Sequence, residues 1–193
     1  MILFIDTISN PCFIGIFDKE KNIIKSISYD ITWNESSTLI PNIDNLLKEN
    51  NLSYNNLENI VLVNWPGSFT GIRTAVLVAN SINFIIKKNM TRIDYFSMYE
   101  LAFDNKFPII KDSSRRDVFI KKDKNSKIEV MENTDFTSYL KENKIEQIYW
   151  DTKIDLWIIK KITNIDYKKV LDKINLDNKK YLGAFYLKKP NIS

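Results

Sequence analysis

Residues 64–76, NWPGSFTGIRTAV, combine the residue types with which loops bind phosphate groups. A strand-like run, NIVLV, leads into the stretch, and Gly67, Ser68, Thr70 and Gly71 come close together before a long apolar segment. Glycines allow close approach to a ligand, and backbone N–H groups at the start of a helix can bind phosphate oxygens. The stretch therefore predicts either a phosphate-binding loop or a turn that only shapes and caps the start of a helix.

A second polar turn follows the first apolar run of the chain and contains Asp6, Thr7 and Ser9. Its backbone N–H groups and hydroxyls could bind phosphate oxygens, and its carboxylate could hold a magnesium ion through water. The same residues also fit an ordinary turn in which the aspartate bonds to its own backbone. Asp6, Thr7, Ser68 and Thr70 are therefore the candidate phosphate-binding residues, and weak nucleotide binding stays open.

The chain contains no histidine and a single cysteine, Cys12. The absence of histidine removes the commonest general base, the commonest zinc ligand and every Ser-His or Cys-His pair. Asp and Glu form no cluster with the spacing of a metal site, so we predict no metal. Cys12 lies in the apolar run CFIGIF and is predicted to be a core residue, and a lone cysteine suits a reducing compartment.

Composition is that of an ordinary soluble globular protein, with 193 residues, 44% hydrophobic, 27% charged and a formal net charge of +4. The lysines are spread along the chain, so a nucleic-acid groove is not indicated. No apolar run reaches the roughly 20 residues that a bilayer requires, and MILFID lacks the basic region of a signal peptide. These features predict a cytoplasmic protein without membrane contact.

The elements around the two polar turns have the order strand-strand-strand-helix-strand-helix. Three strands, joined as a meander of antiparallel hairpins, are predicted in the first thirty residues. A helix follows, with Ser36, Ser37 or Thr38 as its cap. Its apolar stripe consists of Leu39, Ile43, Leu46 and Leu47. LENIVLV is the fourth strand, and a second helix covers about residues 69–87.

The second predicted helix is apolar nearly all round, since its polar residues are few: Arg73, Asn80, Ser81 and Asn83. A helix of this kind is buried on more than one side. It either packs only between the sheet and the neighbouring helix or presents one side to another protein. Both interpretations stay open.

The second half repeats this order in a shorter form. FPIIKD, DVFIKK and SKIEVM are predicted strands, and TDFTSYLKEN is a helix capped by Thr134 or Asp135. IEQIYW is a strand, KIDLWIIKKI a helix, and YLGAFYLKK a last strand that Pro190 ends. We predict an α/β fold of two ribonuclease-H-like lobes, as in actin-like ATPases, with mixed sheets flanked by helices and an abridged second lobe. The lobes span residues 1–104 and 105–193.

Three segments of the sequence resemble the TsaB (YeaZ) family: ILFIDTISNPCFIGIFD, LIPNIDNLL and LENIVLVNWPGSFTGIRTAVLVANSI. The family signature reads G-P-G-S-F-T-G-[LI]-R, and WPGSFTGIR at residues 65–73 matches eight of its nine positions. KDSSRRDVF and YLGAFYLKKP are similar to two later segments of the family. The resemblance implies an actin-like fold and a part in forming N6-threonylcarbamoyladenosine in tRNA.

This resemblance also implies a subunit without catalytic residues or cofactor. Its partner would be TsaD, which carries the metal-binding histidines and transfers threonylcarbamoyl to adenosine 37 of tRNA. The ATPase TsaE joins the complex, tRNA is reached through the complex, and some family members self-associate. The two N-terminal helices would supply the interface, for which the candidates are Leu39, Ile43, Leu47, Ile72, Arg73, Val76 and Ala79.

Two departures from the family bear on the nucleotide site. Trp65 replaces the first glycine of the signature, and the histidine usual near the first helix is absent. The resemblance therefore implies a vestigial phosphate site that now places an interface. The alternative is an actin-like-fold small-molecule kinase or ATPase acting alone. There Asp6 and Thr7 would bind phosphate and magnesium, and Ser68 and Thr70 would contact a second phosphate.

Overall fold

The computed structural model describes residues 1–30, 35–113, 116–151, 160–177 and 179–183. The chain forms two compact units. The first contains Met1–Tyr95 and the segment that begins at Lys168, and the second contains Phe96–Tyr167. The sequence placed a boundary after residue 104, whereas here the chain leaves the first unit after Tyr95 and returns to it at Lys168.

The first unit is built on a five-stranded mixed sheet. Its strands are β1 (Ile2–Asp6), β2 (Cys12–Phe17), β3 (Ile23–Tyr29), β4 (Asn59–Val63) and β5 (Asn89–Ile93). The spatial order is β3-β2-β1-β4-β5, with β1, β2 and β3 antiparallel and β4 and β5 parallel to β1. Every residue of β1, β2 and β4 is buried, as continuous apolar runs require. The predicted meander is confirmed, and β5 was missed because NMTRI has little apolar character.

Two helices of the first unit follow the predicted pattern. They are α1 (Glu35–Glu49), which a short 3-10 helix (Tyr54–Asn56) follows, and α2 (Phe69–Ile86). The apolar stripe of α1 is buried, as predicted. The predicted caps Ser36, Ser37 and Thr38 are wrong, because α1 extends one turn beyond its apolar stripe and contains all three residues.

A C-terminal strap, residues 179–183, lies along β5 and α2. The Met90 N–H of β5 donates to the Lys179 carbonyl at 2.8 Å. Asn80 of α2 exchanges two hydrogen bonds with Leu182, from Nδ2 to the carbonyl at 2.8 Å and from the Leu182 N–H to Oδ1 at 3.0 Å. Leu182 is buried. The strap therefore meets the β5 edge of the sheet at Met90 and binds one side of α2.

The second unit repeats the topology of the first. Its strands are β6 (Ile109–Asp112), β7 (Asp117–Lys121), β8 (Glu129–Glu132), β9 (Gln147–Tyr149) and β10 (Lys160–Ile162). The order β10-β9-β6-β7-β8 matches β5-β4-β1-β2-β3, with the same parallel and antiparallel pairs. Helices α3 (Tyr95–Ala102) and α4 (Asn133–Glu142) accompany it, and α5 (Tyr167–Lys173) leads back to the first unit. The predicted two-lobed α/β fold is confirmed.

Three predicted features of the second half are the helix KIDLWIIKKI, the cap of α4 and the last strand. The helix predicted over KIDLWIIKKI lies mostly outside the described residues, and its last three residues form β10, where the prediction is wrong. The caps Thr134 and Asp135 are wrong because α4 begins at Asn133, and its N-cap residue Glu132 makes no side-chain cap. Of the predicted strand YLGAFYLKK only residues 181–183 are described, and they form no strand.

Candidate functional site

The first polar turn closes on its own aspartate. Asp6 ends β1 and is fully buried, and its Oδ1 accepts hydrogen bonds from the backbone N–H groups of Ile8 and Ser9, each at 2.9 Å. This is the side-chain-to-backbone arrangement of an Asx turn. The carboxylate therefore shapes the turn, and the alternative in which it holds magnesium through water has no support in these contacts.

Two hydroxyls of the same turn are buried without a partner. The Oγ1 of Thr7 and the Oγ of Ser9 make no hydrogen bond to the described part of the chain, although Thr7 is 5% and Ser9 2% exposed. A buried hydroxyl without a hydrogen bond costs about 1–3 kcal/mol. Thr7, a predicted phosphate-binding residue, thus retains unused hydrogen-bonding capacity. So does Ser9 beside it.

The second polar loop starts α2. Ser68 has extended backbone and is the N-cap, since its Oγ accepts a hydrogen bond from the Gly71 N–H at 2.9 Å. Thr70 is exposed in the first turn of the helix. Gly71 also lies inside α2 and therefore belongs to the helix rather than to the turn before it. The interpretation of this loop as a helix cap is confirmed for Ser68.

Gly67 brings the two loops into contact. A Cβ added at Gly67 would lie 3.0 Å from Cγ1 of Ile8, so the glycine is needed for close packing rather than for an unusual φ. Both loops follow the carboxyl ends of neighbouring parallel strands, β1 and β4. Ile8 and Gly67 pack together there, whereas Asp6 is buried and Ser68 and Thr70 are exposed. The four candidate phosphate ligands are therefore neighbours in the fold but differ in their access to solvent.

The absence of a metal site stays a prediction for this chain. In the described ranges, no group of three His, Cys, Asp or Glu side chains is close enough together to hold an ion. The lysine–aspartate pair Lys111–Asp151 of the second unit is buried at 2.9 Å. In a pair of this kind, the attraction between the opposite charges offsets the cost of removing them from water.

The predicted interface residues face mainly inward. Leu39, Ile43, Leu47, Ile72, Val76 and Ala79 are all buried in the core of the first unit. Arg73 is exposed, and its guanidinium carbon lies 4.2 Å from the ring centroid of Phe69. Buried side chains cannot form a contact surface without unfolding, so Arg73 alone of the seven lies where a partner could reach it.

Another set of side chains forms the outer face of α2. Leu77 is 68%, Phe84 84% and Ile85 74% exposed, and with Arg73 they follow one side of the helix. Sequence reasoning missed them because an all-round apolar helix does not reveal which side is solvated. The polar residues Asn80 and Asn83 do not mark the solvated side of α2, since both donate hydrogen bonds to carbonyls of the strap.

The length and hydropathy of α2 would also permit it to cross a membrane. Its 18 residues have a mean hydropathy of 1.4, and half of the helix is buried inside the protein. Core helices of soluble proteins share these properties. The outer face is therefore an apolar surface on a core helix.

One family model and two curated proteins are similar to parts of this chain. Residues 32–112 match a family model described as TsaD, tRNA N6-adenosine threonylcarbamoyltransferase. Two curated relatives are named tRNA threonylcarbamoyladenosine biosynthesis protein TsaB. The one from Buchnera aphidicola subsp. Baizongia pistaciae is 34% identical over 82 residues, which is 42% of this chain and 36% of that protein. The one from subsp. Schizaphis graminum is 28% identical over 87 residues, 45% of this chain and 40% of that protein.

Solved structures show the same fold. YeaZ from Pseudomonas aeruginosa has a TM-score of 0.54 and 17% identity, over 67% of this chain and 63% of that one. An uncharacterized protein with similarity to peptidase YeaZ, from the same organism, has a TM-score of 0.54 and 18% identity, over 67% and 62%. The matches span less than half the length of the two curated relatives. The family-model match contains α1, the loop before α2, and α2 itself.

Proposed function

We propose that this chain is a member of the TsaB (YeaZ) family, because two curated relatives named TsaB match part of it and YeaZ structures share its fold. These relatives and the TsaD-like match support a part in forming N6-threonylcarbamoyladenosine in tRNA. In that process the chain is a non-catalytic subunit that binds TsaD and activates its transfer of threonylcarbamoyl to adenosine 37. It reaches tRNA through the complex, which TsaE joins, and it acts in the cytoplasm.

The outer face of α2 is the observation that carries the proposal. Three large apolar side chains, Leu77, Phe84 and Ile85, are each at least two-thirds exposed. Burying three such side chains contributes about 5–8 kcal/mol. Association itself costs about 4–15 kcal/mol, so further contacts must surround them. Exposed Phe69 and Ile40 of the same unit can supply apolar area, and Arg73 can supply a charge.

Absence of catalytic residues is supported by the chemistry of the chain. It contains no histidine, and the one buried carboxylate of the polar turns, Asp6, accepts hydrogen bonds from its own backbone. The family model that matches residues 32–112 is named for a transferase. The match covers α1, β4, α2 and β5 of the first unit, which fits a non-catalytic relative that pairs with this enzyme.

Co-expression with the TsaD of the same genome tests the proposal. We expect a stable complex at about 10 μM in size-exclusion chromatography, a concentration at which micromolar affinities are visible. Leu77→Glu and Phe84→Glu place a charge on the outer face, and each should raise Kd at least tenfold and abolish threonylcarbamoyl transfer. Val130→Glu is the matched control, since Val130 is 47% exposed on β8.

Three results of this experiment contradict the proposal. One is that the wild-type chain forms no complex with TsaD. Another is that Phe84→Glu and Val130→Glu bind TsaD equally well. A homodimer that Phe84→Glu dissociates, without any TsaD binding, would assign the outer face to a second copy of the chain instead.

A second candidate function is a kinase or ATPase acting alone. It is favoured by the buried, unpartnered hydroxyls of Thr7 and Ser9 beside the Gly67 loop. Isothermal calorimetry with magnesium-ATP, followed by a phosphate-release assay, separates the two functions. ATP turnover by the isolated wild-type chain that Thr7→Val abolishes would establish this candidate, and binding without turnover would leave the subunit function in place.

A further inference from the structure

Two pairs of lysines that are far apart in sequence lie together in the first unit. Lys87 and Lys88 follow the end of α2, and Lys179 and Lys180 begin the strap. Asn83 links the pairs, since its Nδ2 donates to the Lys180 carbonyl and its Oδ1 accepts from the Lys88 N–H, each at 2.9 Å. We call these four lysines the lysine cluster.

Hydrogen bonds hold the backbone of the lysine cluster in place. Asn83 is 4% exposed, and both ends of its amide are used in the link. Next to it, the Met90 N–H donates to the Lys179 carbonyl at 2.8 Å. The carbonyl of Asn83 accepts the Lys87 N–H, also at 2.8 Å. The backbone of all four lysines is thus ordered before any ligand binds, which lowers the entropic cost of binding.

The charge of the lysine cluster is largely uncompensated. All four side chains are exposed, and Lys87, Lys88 and Lys180 form no ion pair with the described residues. Lys179 pairs with Asp177 at 2.9 Å, where both side chains are close to half exposed. An exposed pair of this kind contributes at most about 1 kcal/mol and exchanges readily with another anion.

Glu58, a carboxylate that feels the charge of Lys88, is already engaged by other positive groups. Its carboxylate lies 3.2 Å from Lys19 and 3.7 Å from the amino group of Met1. The pKa of Glu58 is lowered, first by the hydrogen bond from Lys19 and then by nearby positive charges, of which Lys88 is one. Lys88 therefore acts on Glu58 without an ion pair of its own among the described residues, and the excess positive charge of the lysine cluster attracts polyanions.

We propose that the lysine cluster binds the phosphate backbone of tRNA, an inference that rests on the proposed function. Four ammonium groups on a fixed backbone match a ligand with regularly spaced negative charges. Tyr181 follows Lys180 and is 72% exposed, and an exposed aromatic ring among lysines can stack on an unpaired base. An anionic membrane would use the same charges, but the proposed function assigns the neighbouring apolar residues Phe84 and Ile85 to TsaD.

Charge neutralisation tests the inference. One variant changes Lys87, Lys88, Lys179 and Lys180 to glutamine. A control variant changes Lys124, Lys127, Lys141 and Lys144, four exposed lysines of the second unit that form no ion pair with the described residues. Fluorescence anisotropy of a labelled tRNA transcript is measured with the chain alone and with the chain–TsaD complex, from about 50 to 200 mM KCl.

We expect the lysine-cluster variant to bind tRNA at least about tenfold more weakly than wild type at 100 mM KCl. Its slope of log K against log salt should be shallower by about 3, because each lost phosphate contact removes about 0.7–0.9. The control variant, with the same net charge, should stay within about twofold of wild type. Unchanged far-ultraviolet circular dichroism and an unchanged complex with TsaD show that the cluster variant is folded.

The inference is overturned if the two variants bind tRNA with equal affinity, both as the chain alone and in the complex with TsaD. This result leaves the proposed function untouched. The inference is also overturned, in favour of a membrane contact, if the lysine-cluster variant loses the binding of wild type to phosphatidylglycerol vesicles while its tRNA affinity equals that of wild type. If the wild-type chain forms no complex with TsaD, the proposed function fails, and the tRNA affinities of the chain alone then decide the inference.

Discussion

At the scale of single residues, the two polar turns are used by the fold itself. Asp6 closes the β1–β2 turn, and Ser68 caps α2. Sequence could propose both roles, because aspartate in a turn bonds to its own backbone and serine is a preferred N-cap, but it left phosphate binding open as the alternative. It could not predict that Gly67 packs on Ile8, since that contact joins loops about sixty residues apart.

Replacing Ser68 with alanine should lower the free energy of unfolding by about 1 kcal/mol, because the Gly71 N–H loses its acceptor. Urea denaturation measures the change. Ser68→Asp is the matched control, since aspartate also accepts this hydrogen bond and its charge is favourable at a helix N-terminus. Equal losses in both variants would show that Ser68 contributes through packing rather than through its cap.

At the scale of elements, the sequence predicted those with a clear period and missed those set by their neighbours. β1, β2 and β4 are continuous apolar runs, and α1 has a single apolar stripe. β5 is an edge strand of mixed composition, paired with β4 on one side and with the strap on the other. Its place in the sheet depends on tertiary pairing, which the local pattern of NMTRI does not contain.

Tertiary contacts also explain why the predicted interface residues are mostly buried. The sequence correctly indicated an apolar helix buried on more than one side, but the partners of each side come from α1, β4 and the strap. Asn80 and Asn83 are polar yet bound to the strap, and Leu77 and Phe84 are apolar yet exposed. Polarity alone therefore does not show which side of α2 faces solvent.

Tyr54, which joins the 3-10 helix to α1, should make the free energy of unfolding fall at alkaline pH. The pKa of Tyr54 is raised, first by burial and then by its hydrogen bond to Asp44 at 2.5 Å and that residue's charge. Above pH 10 the unfolded chain loses the phenolic proton while the folded chain keeps it, so the free energy of unfolding falls as pH rises.

Tyr54→Phe removes this dependence. Urea denaturation between pH 8 and about pH 11 should show a shallower alkaline decline for the variant than for wild type. The remaining decline comes from other groups, which include Tyr139 and Tyr149, whose pKa values burial also raises. Parallel declines of the two proteins would show that Tyr54 titrates alike in the folded and unfolded chains.

At the scale of the whole molecule, two units of equal topology share one chain. The repeat could be predicted because each half contains three strands, a helix and a strand in the same order. The return of the chain to the first unit could not, because residues 168–183 have no counterpart in the order of the repeat. Those residues supply α5, the strap and half of the lysine cluster.

The strap should depend on Asn80. Asn80→Ala removes both hydrogen bonds to Leu182, and the loss of paired polar groups should destabilise the strap by about 1–3 kcal/mol. Amide hydrogen exchange at Leu182 should then accelerate by at least tenfold, while Ile60 of the central strand β4 keeps its protection. Asn80→Asp should also accelerate exchange, since it keeps the acceptor for the Leu182 N–H but sets a carboxylate oxygen against the Leu182 carbonyl. Unchanged exchange in both variants would mean that burial of Leu182 alone holds the strap.

The discontinuous first unit also imposes an order on synthesis. A ribosome makes β5 and α2 before the second unit and makes the strap after it, so the partners of Asn80 and Asn83 emerge only after the second unit. Protein domains fold as they emerge, from the amino terminus onward. In the nascent first unit, Met90 at the β5 edge and the side chains of Asn80 and Asn83 therefore lack their strap partners until the whole second unit has been translated.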